Sequence, residues 1–197
     1  VVARLGMLAD LRPLPGYGRP ATEADDLSPE ALGRRVAAGL RAGGPVLLAG
    51  HSSGAQVAAH AAAHAGPAVA GLVLVGPTTD PRARGWAGLA ARWLRTAARE
   101  DPRQVPGLVR QYRGTGLRTM ARAMDRARRE DLRATLAGVV APVLVVRGSR
   151  DRICPADWAA SVAPEVVTLA GGAHMVPSTH GAEVAAAIER FAGVRAA

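Results

Sequence analysis

The chain has 197 residues, 49% of them hydrophobic, which suits one domain with a real core, and no apolar run approaches the roughly 18 residues of a membrane span. The net charge is +9 and all 25 basic residues are arginine; with two Tyr, one Phe and no arginine–aromatic stripe, this reads as an arginine-rich composition, not a nucleic-acid-binding surface. One cysteine, Cys154, excludes an internal disulfide framework, and Val1-Val2-Ala3-Arg4 lacks a signal peptide's basic head and apolar block, so the expected location is the cytoplasm.

From the N-terminus, Leu5 to Leu11 is apolar enough for a strand, and Arg12-Pro13-Leu14-Pro15-Gly16-Tyr17-Gly18-Arg19-Pro20 must be a loop. Ser28-Pro29-Glu30 opens a helix, with serine as N-cap, proline at the first position and an acid in the first turn. That helix is expected to run to about Leu40 and to end at Gly43-Gly44. Short apolar runs without alternation at 45–49, 71–75, 142–147 and 165–169 predict parallel strands covered on both faces. Helical stretches lie between them at about 53–65, 155–163 and 179–192, which gives a doubly wound, mostly parallel α/β sheet. The ~65 residues between the second and third of these strands exceed what one crossover helix needs. Arg82 to Leu136 reads as several amphipathic helices interrupted by Pro102, Pro106 and Gly114-Thr115-Gly116, an inserted helical cap. The expected division is a core of residues 1–76 and 137–197 and a small cap of residues 77–136.

The stretch Val46 to Ala58 carries the chemistry. An apolar run meets Gly50-His51-Ser52-Ser53-Gly54, and an alanine-rich helix follows. Strand, sharp turn and helix with a serine at the apex lift the hydroxyl above the sheet edge, and Gly50 and Gly54 are both expected to be glycine for steric reasons. A serine hydroxyl is a poor nucleophile until a base takes its proton and an acid orients that base. In a parallel sheet those partners belong in loops after later strands. Two loops qualify: Gly148-Ser149-Arg150-Asp151 and Gly171-Gly172-Ala173-His174. The candidates are therefore Ser52, Asp151 and His174, in that order.

These three segments, together with Arg12-Pro13-Leu14-Pro15-Gly16-Tyr17-Gly18-Arg19, resemble the signature segments of the α/β-hydrolase family. The resemblance covers nearly the whole chain except the insertion. It implies Ser52 as nucleophile, His174 as general base and then acid, Asp151 as the orienting carboxylate, and the Ser53 backbone N–H as an oxyanion-hole donor. Serine at the elbow favours esterases, lipases, thioesterases, carbon–carbon bond hydrolases and cofactor-free haloperoxidase-like members over epoxide hydrolases and dehalogenases. The family needs no metal or other cofactor. Family members carry about three further strands before this point, with a His-Gly-type loop that supplies a second oxyanion donor. Nothing in residues 1–20 matches that loop, and Val1 fits either a trimmed N-terminus or a GTG start read literally in a gene model begun too late.

The function expected is hydrolysis of a carboxylic ester, thioester or activated carbon–carbon bond of a small acyl substrate through an acyl-enzyme. The alternatives are haloperoxidase-like or acyltransferase use of the same residues, or a non-catalytic remnant acting as a binding protein. Asp80, after strand 71–75, is the rival acid, and His180 the weaker rival base. His60 and His64 stand four apart but lack the Glu of His-Glu-x-x-His and a third ligand, so they read as ordinary helix-face residues. His51 has no expected part in proton transfer, Cys154 reads as a packed side chain, and Tyr17-Gly18 is no phosphate loop. Trp86 and Trp93, seven apart, share a helix face and should pack on the core or line the pocket. Cap arginines from Arg82 to Arg122 read as a solvated face, of which one or two could meet a substrate carboxylate.

Overall fold

The computed structural model describes residues 1–40 and 44–196. Two two-residue bridges, β1 (Leu14–Pro15) and β2 (Gly18–Arg19), close a tight turn around Tyr17. The sheet that organises the molecule is built from β3 (Val46–His51), β4 (Val69–Val75), β5 (Val143–Gly148) and β6 (Glu165–Leu169), all parallel, in the order β3-β4-β5-β6. The helices are α1 (Pro29–Ala38), α2 (Ser53–Ala65), α3 (Trp86–Ala97), α4 (Val105–Thr115), α5 (Leu117–Ala127), α6 (Leu132–Leu136), α7 (Ala156–Val162), α8 (Val176–Thr179) and α9 (Gly181–Ala196). Among the described residues, no helix is long and apolar enough to cross a membrane.

Successive residues of a strand point to opposite faces, so an unbroken apolar run feeds two cores at once. Leu72, Leu74 and Val145 pack against alanines of α2, Leu132 of α6 and Trp158 of α7. Val73, Val75, Leu144 and Val146 pack on the other side against Val184, Ile188 and Phe191 of α9. Full burial of each such aliphatic side chain contributes about 1.5–3 kcal/mol, and these two layers fix where the strand ends lie.

The N-cap at Ser28 forms as the sequence predicts, its hydroxyl accepting from the Ala31 N–H at 3.2 Å. The helix ends at Ala38 with Gly39 as its C-cap, short of the expected Leu40, and of the expected stop at Gly43-Gly44 the first residue lies outside the described residues. Residues 5–11 form no strand. A strand needs a neighbour for its N–H groups, whereas the Gly6 N–H is taken by the Glu189 carboxylate of α9 at 2.6 Å and Leu8 is fully exposed. Between α4 and α5 only Gly116, at φ 84°, breaks the helix; Gly114 and Thr115 continue α4. α6 inserts Leu132, fully buried, into the core beside the sheet, while α3, α4 and α5 stand apart from both core layers.

Candidate active site

β3 delivers Ser52 into a turn that α2 continues, with φ 57° and ψ −126°, a left-handed conformation rare for a residue with a side chain. The strain is held because the Ser52 N–H donates to the Val75 carbonyl at 2.9 Å, locking the turn to β4. Gly50 is a steric necessity, since a Cβ there would lie 2.3 Å from the Gly54 carbonyl oxygen. Gly54 is not, because a Cβ there meets nothing within 4 Å among the described residues, so the expectation of two obligatory glycines holds only for the first.

The ends of β5 and β6 bring two loops to the same place. The Ser52 hydroxyl lies 2.9 Å from His174 Nε2, and His174 Nδ1 lies 2.8 Å from Asp151 Oδ2. The carboxylate fixes the proton on Nδ1, which leaves the Nε2 lone pair facing the serine. Asp151 and His174 are both buried. The second oxygen of Asp151 accepts from the Ile153 and Cys154 N–H groups at 2.8 and 3.0 Å. Burial pushes the Asp151 carboxyl upward, but the His174 hydrogen bond and charge and the two amides outweigh it, and the net shift is downward. Gly76, at φ 53°, lets the pair close: a Cβ there would stand 3.1 Å from His174 Nδ1 and 3.2 Å from Asp151 Oδ2.

Asp80, the rival acid, is committed elsewhere. Its carboxylate binds Arg82 at 2.7 Å and Arg92 at 2.6 Å, while His174 bonds Asp151. Burial raises the Asp80 pKa, and the Arg82 side-chain and backbone donors, with Arg92, overcome it and bring it down to about 2. His180 pairs with the Thr179 hydroxyl and takes no part in the chain of bonds. His60 bonds Glu130 at 2.9 Å, tying α2 to the segment before α6. Cys154 is buried in the core, and burial pushes its thiol pKa up.

His51 has a part that the sequence did not announce. Its Nε2–H donates to the His174 carbonyl at 3.0 Å, and the two rings lie 4.9 Å apart. Burial, with the neighbouring His174 charge, pushes the His51 pKa down to about 4, so the ring is neutral at pH 7. From an unfolded value of 6.5, the unfolded chain binds the proton first, so this contribution is whole above pH 6.5 and drains away towards pH 4. Urea unfolding is expected to show a loss of up to about 3 kcal/mol across that interval. His51→Gln, which keeps a donor to the same carbonyl, is expected to flatten it.

Ser52 and His174 open onto a cavity of about 700 Å³. Its lining joins Tyr17 and Ser53 to apolar side chains of α3, α4 and α5, among them Leu89, Trp93, Leu108 and Met120. The Tyr17 hydroxyl is buried beside the Ser53 side chain, and burial pushes its pKa up. Trp93 lines the cavity as expected, whereas Trp86 stacks under the Arg128 guanidinium at 4.8 Å. Arg84, Arg92 and Arg128 also line it; Arg92 is neutralised by Asp80 and Arg128 by Asp125 at 2.6 Å. The sequence reading also missed Arg147, whose buried guanidinium donates to the Cys154 and Asp151 carbonyls at 2.8 and 3.3 Å and braces the acid loop. A lone charge in the apolar run Val143 to Gly148 was the available signal.

A parallel sheet presenting a strained serine after β3, a buried carboxylate after β5 and a buried histidine after β6 defines a protein of the α/β-hydrolase class. Residues 10–187 match the model of the alpha/beta hydrolase family, and the chain belongs to that family. It is 32% identical over 217 residues to the pimeloyl-[acyl-carrier protein] methyl ester esterase of Xanthomonas axonopodis pv. citri (strain 306), covering 90% of this chain and 81% of that protein. Among solved structures, a thermophilic esterase superposes with TM-score 0.70 at 21% identity, over 90% of this chain and 77% of that one. A bromoperoxidase from Bacillus anthracis superposes with TM-score 0.69 at 14% identity, over 90% and 80%, a likeness of fold.

Proposed function

We propose that the protein is a serine esterase working through an acyl-enzyme, and that its substrate is the methyl ester of an acyl chain held on a carrier protein. The observation that carries the reading is the continuous bond chain from Ser52 through His174 to Asp151, open to the cavity. In this reading Ser52 Oγ attacks the ester carbonyl while its proton passes to His174 Nε2, and Asp151 stabilises the imidazolium. The carbonyl oxygen becomes an oxyanion next to the Ser53 N–H, at the positive end of α2. As the tetrahedral intermediate collapses, the ester C–O bond breaks and the departing methanol takes the Nε2 proton. Water then gives a proton to Nε2, attacks the acyl-Ser52 carbonyl, and releases the acid with Ser52 reprotonated.

Three further features support the substrate. The apolar cavity wall suits an alkyl chain. We place the cap at α3–α5 within residues 77–136, over a core of 1–76 and 137–197, where it supplies that wall. Exposed Arg95, Arg99, Arg103, Arg110, Arg113 and Arg118 make this segment basic, which suits an acidic carrier. The third is the relative whose name specifies such an ester.

The test compares methanol release from a carrier-bound pimeloyl methyl ester with that from dimethyl pimelate. Ser52-dependent turnover with higher kcat/KM for the carrier-bound ester, declining as salt rises, is expected. Equal kcat/KM for the two would remove the carrier from the reading, and absence of Ser52-dependent release from either would remove the esterase.

A further inference from the structure

Glu100 follows α3, in the stretch that leads to the 3₁₀ turn at Pro102–Gln104. One of its oxygens, Oε1, accepts from the backbone N–H of His174 at 2.7 Å and from that of Met175 at 2.9 Å. The other, Oε2, accepts from the Gln104 side-chain amide at 2.7 Å. His174 sits in a turn between β6 and α8, where neither ladder nor helix bonds hold its N–H. Its main chain is instead gripped from two sides, by His51 at the carbonyl and by Glu100 at the amide. Hydrogen bonds from amides to an ionised carboxylate are about twice as strong as neutral ones.

We propose that Glu100 is a positioning residue: by holding the His174 and Met175 amides, it sets where the imidazole stands relative to Ser52 and ties the base to the seating of the inserted helices. The proposal rests on the esterase reading of the same site. Asp151 fixes the ring's tautomer through Nδ1, but the ring's position follows its main chain, and the amide grip comes from the insertion. A displacement of about 1 Å in such a constellation costs on the order of 10²-fold in rate. If the inserted helices lift, Glu100 moves with them and the histidine loop loses its anchor. If they settle on a bound acyl chain, the anchor is restored.

Glu100→Ala and Glu100→Gln are compared with the parent on p-nitrophenyl butyrate. In Glu100→Ala, kcat is expected to fall roughly 10–100-fold with KM little changed, because the cavity wall is left in place. Glu100→Gln keeps an acceptor oxygen for both amides and is expected to recover most of kcat. A merely structural side chain would lower the melting temperature of both variants without this split. Should Glu100→Ala not fold, Glu100→Asp, shorter by one methylene, is read in its place by the same criterion. The far-downfield proton resonance of the His174–Asp151 hydrogen bond is followed in parallel, because it reports the resting geometry without turnover. Loss or broadening of that resonance in Glu100→Ala, with return in Glu100→Gln, would support the proposal even if the parent shows no esterase activity. An unchanged resonance with unchanged kcat in Glu100→Ala would overturn it, while a parent with normal Ser52-dependent turnover would leave the esterase reading standing.

Discussion

Ser52→Ala and His174→Ala are each expected to lower kcat on an ester by about 10⁴–10⁶ while the protein stays folded. The magnitude follows from the geometry. Removing the serine hydroxyl takes away the atom that forms the new bond, and removing the imidazole leaves that hydroxyl protonated, with no other base bonded to it among the described residues. The two act as one device, so the double variant is expected to be scarcely slower than either single one. Folding is expected to survive, since each side chain bonds mainly to its partner while the backbone of the turn is held by Gly50 and by the Ser52–Val75 bond. Initial rates on p-nitrophenyl butyrate with circular dichroism as the folding control decide the matter. A His174→Ala protein that retained more than about a tenth of the parent kcat would contradict the assignment of the base.

The second large effect separates the two buried aspartates. Asp151→Asn is expected to cost about 10⁴ in kcat with little loss of stability. The asparagine oxygen can still accept from Ile153 and Cys154, but its amide now donates towards Nδ1 and drives the imidazole to the tautomer that cannot take a proton from Ser52. Asp80→Asn is expected to do the reverse. It leaves the mostly buried Arg92 without its counter-charge, which costs about 3 kcal/mol of stability, while kcat in the folded fraction stays within a few-fold. The Asp80 contribution is also expected to vanish in strong acid. Its folded pKa near 2 lies below the ordinary carboxylate value of 3.8, so the stabilisation is complete above pH 3.8 and lost as pH falls through 2. Urea unfolding between pH 2 and 7, set beside the kinetics, reads both effects. If Asp80→Asn abolished turnover and Asp151→Asn did not, the acid would be Asp80.

Much of this site is local in sequence, and that is why it was legible. Ser52, Asp151 and His174 each sit one loop beyond an apolar run, and parallel strands carry such loops to a common edge. The strand pattern was readable because both sheet faces are covered, leaving runs of Val and Leu without polar interruption. What escaped was whatever depends on partners far along the chain. Glu100 lies in an arginine-rich stretch and meets a loop 74 residues away, while His51 reaches a carbonyl 123 residues on. Residues 5–11 misled because apolar content alone does not supply a neighbouring strand. Gly54 belongs to the pentapeptide pattern, yet in this molecule its missing side chain relieves no contact.

The measurement closest to the central claim is labelling with a fluorophosphonate probe, read by intact mass, on the parent beside Ser52→Ala. One adduct on the parent and none on the variant is the expected result, because only a serine facing an unprotonated Nε2 attacks phosphorus at a useful rate. A folded parent that takes no adduct, or a Ser52→Ala protein labelled to the same extent, would contradict it.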